Sequence, residues 1–253
     1  MIKLPGIIRN IREPQEGNRL PEDFGLLCWN VQKKNLGYRF NRFFAELLEH
    51  YKIELLAFQE VKLNLSSASL PGKFHFSCAP NIRFLNHVYG VLNGSSIPEN
   101  DSFSLLSSHR EGMIQTRKSA IFSTYTLYSG EPLLMVNLHA INFRADKIYH
   151  KEIEIIFDAI RHHQGAMIVT GDFNSWNKQR MEYLMKLSGA LDLKNSEIEH
   201  SHLIKSFMNH KLDHIFYRGL QLIESHAVDV QHLSDHNALY ARFRSEQSYF
   251  RSK

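Results

Sequence analysis

The sequence predicts an α/β protein built from stacked β-sheets with a few helices outside them. Two observations predict this class. Short apolar runs typical of buried strands recur between residues 26 and 243, whereas only three stretches show the apolar spacing of an amphipathic helix. The chain has 253 residues, with no internal repeat, low-complexity tract or Gly/Ser linker, so we interpret it as one domain.

The N-terminal half predicts two buried strands with a helix between them. The first strand, residues 26–31, ends in polar residues, and the second, residues 53–58, runs directly into Gln59 and Glu60. Apolar residues at helical spacing form an aromatic stripe between the strands, which favours packing against a sheet over the rarer use as a cofactor box. The stripe consists of Phe40, Phe43, Phe44, Leu47, Leu48 and Tyr51. Shorter strands are predicted around residues 74–78, 87–92, 103–106 and 119–125.

The C-terminal half predicts two more helices and five strands. One apolar strand, residues 133–138, ends at His139, and another, residues 167–170, runs into Gly171-Asp172-Phe173-Asn174. The helices are predicted over residues 145–163 and about 178–187, and the last strands over residues 213–217, 220–230 and 238–243. Residues 1–23 contain three prolines and predict an extended leader, residues 24–245 the domain, and residues 246–253 a C-terminal tail.

The composition is that of an ordinary globular protein. Hydrophobic residues make up 43% and charged residues 22%, which excludes a disordered, collagen-like or coiled-coil chain. Cys28 and Cys78 are too few for a disulfide framework, so we expect a reducing, cytoplasmic location. No apolar run reaches the roughly 18–20 residues of a membrane span, so we expect no integral membrane segment. The net charge of +4 suits a phosphate-bearing partner without identifying one.

Residues that chemistry uses stand at strand ends throughout the chain. They are Asn30, Glu60, His139, Asp172 with Asn174, Asp213, and the Ser234-Asp235-His236 segment between the last two strands. Burying a carboxylate costs several kcal/mol unless it is paired or bound to a cation. Each residue alone has an ordinary explanation, since Asp172 could cap the next helix and His139 could be a hydrogen-bonded core residue. Their joint occurrence favours an active site.

The residue types indicate a particular chemistry. Glu60, Asp172 and Asp235 offer the hard oxygen ligands that Mg²⁺ prefers, and no Cys/His cluster has zinc spacing. His139 and His236 can transfer protons or stabilise an oxyanion near neutral pH. Asp213 is a candidate to orient an imidazole, while Asn30 and Asn174 can bond phosphoryl oxygens or water without adding charge. The set predicts metal-assisted attack of water on a phosphate ester.

Six segments in this order resemble a known family. They are Trp29-Asn30-Val31, Gln59-Glu60, Asn137-Leu138-His139, Gly171-Asp172-Phe173-Asn174, Leu212-Asp213-His214-Ile215-Phe216 and Ser234-Asp235-His236. They resemble the endonuclease/exonuclease/phosphatase superfamily, which includes DNase I-like nucleases, inositol-polyphosphate phosphatases and neutral sphingomyelinases. Lys118-Ser119-Ala120 and the segments 139–143, 171–176 and 212–220 further resemble its small bacterial YafD-like branch.

The resemblance implies a four-layered α/β sandwich of the DNase I type, with two mostly antiparallel β-sheets packed face to face, helices outside and the catalytic groups at one end. By this resemblance Glu60 and Asp235 are metal-side carboxylates and Asn30 lies beside the metal. Asp172 and Asn174 are implied to lie near the attacking water and the phosphoryl oxygen.

The resemblance also implies roles for the basic groups. His236 is a general base or transition-state stabiliser with Asp213 as its orienting partner, and His139 is an acid for the leaving oxygen. Asn142 either bonds phosphate or caps the following helix. Lys118 is a candidate phosphate contact, with a solvated rim position as the alternative. Trp176 either stacks on a base or sugar or, as we favour, packs at the start of a helix.

The implied activity is that of a Mg²⁺- or Mn²⁺-dependent phosphodiesterase with nucleic acid as the leading substrate. One alternative is a phosphatase or phospholipase-like hydrolase of an inositol or lipid head group, which would differ in the loops around residues 93–112 and 200–210. Another is a non-catalytic nucleic-acid-binding module, which would have lost carboxylates or histidines, and none is lost. We favour a monomer.

Overall fold

A computed structural model describes residues 4–10, 17–68, 70, 72, 74–111 and 116–245. Helices form in the three places where the sequence predicts them. They follow the first long strand, the strand that ends at His139 and the Gly-Asp-Phe-Asn segment. The elements are β1 (Ile8–Asn10), β2 (Asp23–Asn30), α1 (Tyr38–His50), β3 (Leu55–Asn64), β4 (His75–Phe84), β5 (His87–Ser95), β6 (Asp101–Leu106), β7 (Ser119–Thr126), β8 (Pro132–His139), α2 (Asp146–Ile160), β9 (Ala166–Asp172), α3 (Lys178–Ala190), β10 (Lys194–Asn195), β11 (Ser206–Phe207), β12 (His210–Lys211), β13 (Asp213–Arg218), β14 (Leu220–Val228) and β15 (Ala238–Ser245).

The strands form two large sheets. The first has the order β1-β4-β5-β3-β2-β15-β14 and the second β10-β13-β9-β8-β7-β6, with β11 and β12 as a separate hairpin. Among the strands of the described residues, β2–β3 and β8–β9 pair in parallel and the other neighbours are antiparallel. This arrangement confirms the α/β class and the predicted pair of mostly antiparallel sheets.

Alternation along β2 shows how the layers stack. Leu27 and Trp29 point into the cluster that packs on α1, whereas Leu26 and Cys28 point into the cluster between the two sheets. Successive strand side chains face opposite sides, so one strand serves both layers. The second sheet buries its other face under α2 and α3. The order is therefore helix, sheet, sheet, helices.

The aromatic stripe of α1 is core, as we expected. Phe40 stacks on Trp29 with ring centroids 4.9 Å apart, and Phe44 meets Phe58 edge-on at 5.7 Å. Aromatic pairs in these arrangements stabilise a core beyond their buried area alone.

Part of the predicted leader belongs to the first sheet. Ile8–Asn10 pair with β4 as an edge strand, and Leu20 is fully buried. Residues 1–3 and 11–16 and the predicted tail 246–253 lie outside the described residues, so the domain limits stay a prediction. Cys28 and Cys78 are buried and free, and burial raises the pKa of each thiol to about 12. In the described part of the chain, no helix combines the length and the apolar character needed to cross a bilayer.

A buried amide pair joins the two sheets beneath the site. Asn137 on β8 donates to the main-chain oxygens of Phe58 (3.1 Å) and Leu92 (2.9 Å) on the first sheet. In return, Gln59 Nε2 donates to Asn137 Oδ1 at 2.7 Å. Buried polar groups that lose their partners cost roughly 1–3 kcal/mol, so this network sets how the sheets register. It brings the middle of β3, just before Glu60, beside the end of β8.

Candidate active site

Asp172, Asp213 and His236 converge where β9 ends and β13 begins. Asp172 ends β9 and Asp213 begins β13, and the two residues are direct neighbours in the antiparallel register. Asp213 Oδ2 lies 2.7 Å from His236 Nδ1, and His236 Nε2 lies 3.7 Å from Asp172 Oδ2. All three residues are at most 4% exposed. The predicted orienting role of Asp213 thus has a matching contact.

The main chain around His236 is anchored to β2. Trp29 Nε1 donates to the His236 carbonyl oxygen at 3.0 Å, and the Ser234 hydroxyl donates to the Asn30 carbonyl oxygen at 2.6 Å. The His236 amide N–H in turn donates to Ser234 Oγ at 3.2 Å. The Ser-Asp-His segment is therefore tied to β2, although Asn30 and Ser234 lie 204 residues apart in the sequence.

Both carboxylate oxygens of Asp172 accept hydrogen bonds. Asn30 Nδ2 donates to Oδ2 and the Asn174 main-chain N–H donates to Oδ1, each at 3.1 Å. Asn174 has a φ of +49°, and its side chain donates to the Ala140 carbonyl oxygen at 3.0 Å. The N-cap of α3 is Asn177, so the alternative that Asp172 caps this helix is wrong.

Gly171 lets β9 approach β8 closely beside the site. Its φ is +137°, and a Cβ atom there would lie 2.0 Å from the Leu138 carbonyl oxygen. Only glycine adopts this conformation without strain and without that collision. This explains the glycine of the Gly-Asp-Phe-Asn segment.

His139 and Lys118 lie beside the Asp172 carboxylate. Lys118 Nζ lies 2.8 Å from His139 Nε2, which is also 3.4 Å from Asp172 Oδ2. Burial, together with the charge of Lys118, lowers the pKa of His139 well below 6.5, so the imidazole is neutral at pH 7. An ammonium group only donates, so Nε2 accepts from Lys118 and the ring proton resides on Nδ1.

The two histidines of the cleft thus carry opposite protonation states. Burial lowers the pKa of His236, but the charge and hydrogen bond of Asp213, followed by Asp172, outweigh it and raise the pKa to about 9. Burial and the neighbouring Asp213 raise the pKa of Asp172 to about 6, against the opposing charges of His236 and Lys118. At neutral pH the site holds an ionised Asp172 beside a charged imidazolium and a neutral imidazole.

Glu60 and Asp235, the predicted metal-side carboxylates, lie nearer the surface and each contacts a lysine. Glu60 has a φ of +53° at the bulge that interrupts the pairing of β3 with β5, and its Oε2 is 3.0 Å from Lys33 Nζ. Glu60 lines the same crevice as His139 and Lys118. Asp235 is half-exposed and pairs with Lys205, and although partial burial raises its pKa, that hydrogen bond holds it below the usual value.

The donor types of these residues suit a hard divalent cation. The donors are carboxylate and amide oxygens, and positive charge already stands against both Glu60 and Asp235. Asp213 Oδ1 is a further buried oxygen without a protein partner in the structure. Asp172, Asp213 and His236 also offer donor atoms within 4.8 Å of one another. A metal ligand must be deprotonated, however, and His236 holds its proton up to a pKa of about 9.

The remaining predicted residues differ in their placement. Asn142 is half-buried, and its main-chain N–H donates to the buried Glu111 carboxylate at 2.6 Å. The N-cap of α2 is Ala145, so Asn142 does not cap that helix. Lys118 is part of the cleft and not a solvated rim residue. Trp176 packs at the start of α3 with the guanidinium carbon of Arg180 4.5 Å above its ring, as we favoured.

One residue that the motifs did not indicate, Arg180, supports the site. Arg180 is fully buried, and its guanidinium donates to Asp146 (2.8 Å) and to the carbonyl oxygens of Asn174 (3.1 Å) and Arg144 (2.6 Å). It therefore holds the loop that carries Asn174. Arg180 lies in the first turn of α3 among polar residues, a pattern typical of a solvated helix face. Only its burial in the structure shows its supporting role.

The sequence is similar to that of a known protein family. A sequence model of the Endonuclease/Exonuclease/phosphatase family matches residues 27–236. A UPF0294 protein of Vibrio cholerae is 30% identical over 228 residues, 89% of this chain and 79% of that protein. A UPF0294 protein of Yersinia pseudotuberculosis is 38% identical over 136 residues, 53% of this chain and 52% of that protein. The match thus spans about half the length of the latter relative.

Solved structures share the fold at low sequence identity. The human Nocturnin catalytic domain with bound sulfate has a TM-score of 0.63 and 18% identity, covering 89% of this chain and 95% of that one. D. rerio TDP2 complexed with single strand DNA product has a TM-score of 0.62 and 13% identity, covering 89% and 100%. The Bacteroides thetaiotaomicron mannosyl-6-phosphatase has a TM-score of 0.60 and 13% identity, covering 87% and 99%.

Proposed function

The chain belongs to the endonuclease/exonuclease/phosphatase family, and on that premise we propose that it is a divalent-metal-dependent hydrolase of phosphate esters. We propose a phosphodiesterase, with nucleic acid as its leading substrate. The single observation that carries this proposal is the placement of the Asp172 carboxylate. Asn30 and Asn174 hold it, and it lies 3.7 Å from His236 of the Asp213–His236 pair and 3.4 Å from His139 of the Lys118–His139 pair. A phosphate group with an attacking water needs such a base and positive charge on either side.

Asp172 is the proposed base for the attacking water. With its pKa at about 6 it is ionised at neutral pH and still basic enough to take a proton in the transition state. Asn30 and Asn174 orient both of its oxygens, so that little reorganisation is needed when the water loses its proton. His236, being protonated, cannot serve as the base and instead donates from Nε2 to a phosphoryl oxygen.

Lys118 and His139 are proposed to serve the leaving oxygen. Because His139 is neutral with its proton on Nδ1, the positive charge of this pair resides on Lys118 Nζ. Lys118 therefore balances the charge that develops as the ester bond breaks, and His139 positions it. In this proposal the acid role that the resemblance implies for His139 therefore passes to the Lys118 ammonium.

Glu60, Asp235 and Asn30 are the proposed holders of Mg²⁺ or Mn²⁺. When bound, the ion supplies Lewis-acid neutralisation of charge on the phosphoryl oxygens. Lys33 and Lys205 must release the two carboxylates when these bind the ion.

A substrate panel tests the proposal. The purified chain with Mg²⁺ or Mn²⁺ is offered bis(p-nitrophenyl) phosphate, single- and double-stranded DNA, RNA, p-nitrophenyl phosphate and phosphatidylinositol vesicles. We expect cleavage of diesters, and Asp172→Asn should lower kcat by roughly 10²- to 10⁴-fold, the usual contribution of a general base.

Asp158→Asn is the matched control, because the Asp158 side chain is 62% exposed on α2. It should leave turnover unchanged. If the chain cleaves no diester with either ion, the proposal that it is a phosphodiesterase is refuted. Full turnover by Asp172→Asn would refute the proposed role of Asp172 as the base.

A second candidate is a phosphatase or phospholipase-like hydrolase of an inositol or lipid head group. The observation that favours it is a set of exposed apolar side chains on the loops around the cleft, among them Phe84, Leu85, Phe207 and Met208. In the same panel, faster turnover of the vesicles or the monoester than of nucleic acid would select this candidate. The neighbours that share the fold include both a complex with a DNA product and a mannosyl-6-phosphatase.

A further inference from the structure

Four loops at the catalytic end of the sandwich expose large apolar side chains. We call them the apolar rim, defined by residues 31–38, 82–89, 140–145 and 204–212. Three of them directly follow or precede strands that end in site residues, namely β2, β8 and β13. The fourth is the β4–β5 hairpin, which continues past Glu60 as the pairing of β5 with β3 runs on to Asn64.

The exposure is concentrated at this end. Seven of the twelve exposed large hydrophobic residues among the described residues belong to the rim, although its loops form a small part of the chain. They are Leu36 (43%), Tyr38 (80%), Phe84 (62%), Leu85 (73%), Phe143 (81%), Phe207 (58%) and Met208 (69%). Single exposed apolar side chains are ordinary, but a group of them around one cleft marks an interaction surface.

Positive charge accompanies the apolar groups in every rim loop. Each loop contains at least one lysine or arginine, and none of the four contains an aspartate or glutamate. The cations are Lys33, Lys34, Arg83, Arg144, Lys205 and Lys211. The partner must therefore offer both apolar area and negative charge.

We propose that the apolar rim docks the protein on an anionic phospholipid surface. Two hairpins, β4–β5 and β11–β12, present an aromatic residue next to an aliphatic one at their tips, Phe84-Leu85 and Phe207-Met208. Such pairs enter the boundary between head groups and acyl chains, while neighbouring lysines and arginines contact lipid phosphates.

The aliphatic members favour a lipid over a nucleic acid. Single-stranded nucleic acid is held by stacking of bases on aromatic rings, and Leu36, Leu85 and Met208 offer no ring. Docking through the rim places the catalytic cleft against the bilayer. This surface goes beyond the proposed hydrolysis.

Vesicle co-sedimentation of the 253-residue chain tests the proposal. The vesicles are phosphatidylcholine alone or an equal mixture of phosphatidylcholine and phosphatidylglycerol. We expect binding to the anionic vesicles, weaker binding to the neutral ones, and loss of most anionic binding between about 0.1 M and about 0.5 M NaCl. The double variants F84S/L85S and F207S/M208S should each lower the partition coefficient by about tenfold.

Tyr128→Ser and Met185→Ser are the matched controls. Tyr128 (57% exposed) lies in the β7–β8 turn and Met185 (42% exposed) on α3, both outside the rim. Equal thermal unfolding temperatures verify that the rim variants are folded, so a failure of the hydrolase proposal leaves this test intact.

Three outcomes would overturn the docking proposal. These are no binding to anionic vesicles, equal loss of binding in the control variants, and binding of a single-stranded oligonucleotide that the rim variants weaken while vesicle binding stays unchanged. The last outcome would assign the rim to nucleic acid instead.

Discussion

Replacing Asp213 by asparagine should remove the proton that His236 carries at neutral pH. The two side chains are buried, and Asp213 Oδ2 lies 2.7 Å from His236 Nδ1. Burial disfavours the imidazolium, so the raised pKa of about 9 exists because Asp213, aided by Asp172, outweighs burial. In Asp213→Asn the burial remains and the principal counter-charge is gone. We therefore expect a pKa of His236 below 6.5.

The magnitude follows from the pKa of the wild-type chain. The difference between 6.5 and about 9 corresponds to roughly 3 kcal/mol in favour of the imidazolium, at about 1.4 kcal/mol for each pKa unit. Because the folded pKa lies above the unfolded one, this stabilisation is fully present below about pH 6.5 and is lost as the pH rises through about 9. Asp213→Asn should therefore lower the free energy of unfolding by roughly 2–3 kcal/mol at pH 6, and by less above pH 9.

Two measurements check this expectation. A proton NMR titration of the His236 ring gives its pKa directly, and urea unfolding at about pH 6 and about pH 9.5 gives the stability difference. The control is Asp229→Asn, because Asp229 is exposed and its carboxylate accepts from the Gln231 main-chain N–H. A His236 pKa that stays above about 8 in Asp213→Asn would refute the assignment of Asp213 as the group that holds the proton.

Three further predictions concern the scaffold and the metal. Arg180→Met should lower the free energy of unfolding by about 3–5 kcal/mol, because a carboxylate and two main-chain carbonyls lose their donor. The control Arg161→Met, at a 59% exposed position, should change it little. Equal denaturation midpoints for the two variants would contradict the reasoning. Gly171→Ala should lower the free energy of unfolding by several kcal/mol, because its Cβ collides with the neighbouring strand. Gly189→Ala in α3, where a Cβ meets nothing within 4 Å, should raise it by about 0.5–1 kcal/mol in the same assay. Unchanged stability of Gly171→Ala would show that β9 can move. Glu60→Gln should weaken Mn²⁺ binding, followed by electron paramagnetic resonance, by about tenfold or more, since one ligand charge is lost; unchanged affinity would place the ion elsewhere.

Local patterns predicted the elements well because their signals are local. The helical spacing of Phe40 to Tyr51 is a property of neighbouring turns, and α1 spans Tyr38–His50. Apolar runs predicted β2, β3, β8 and β9 for the same reason, since a strand buried on both faces is apolar at successive positions. The exposed tip at Phe84-Leu85 carried no such signal, because an apolar pair reads as core unless the end of the hairpin is known.

The candidate site was predicted in its residue types and only partly in its contacts. All ten predicted residues are described, and Asn30, Lys118, His139, Asp172, Asn174, Asp213 and His236 form one contact network. Glu60 and Asp235 instead face Lys33 and Lys205, and their metal role stays a prediction. None of these ion pairs joins residues close in sequence, so no spacing rule could indicate them.

By itself, the sequence determined the family, through six short segments in a fixed order, and the secondary structure, through apolar periodicity. Both depend on residues that are near one another along the chain. Only the tertiary structure decided which histidine is charged and which is neutral. That difference arises because His236 is buried against a carboxylate of β13 while His139 is buried against the lysine that directly precedes β7. Such environments exist only once the two sheets have packed.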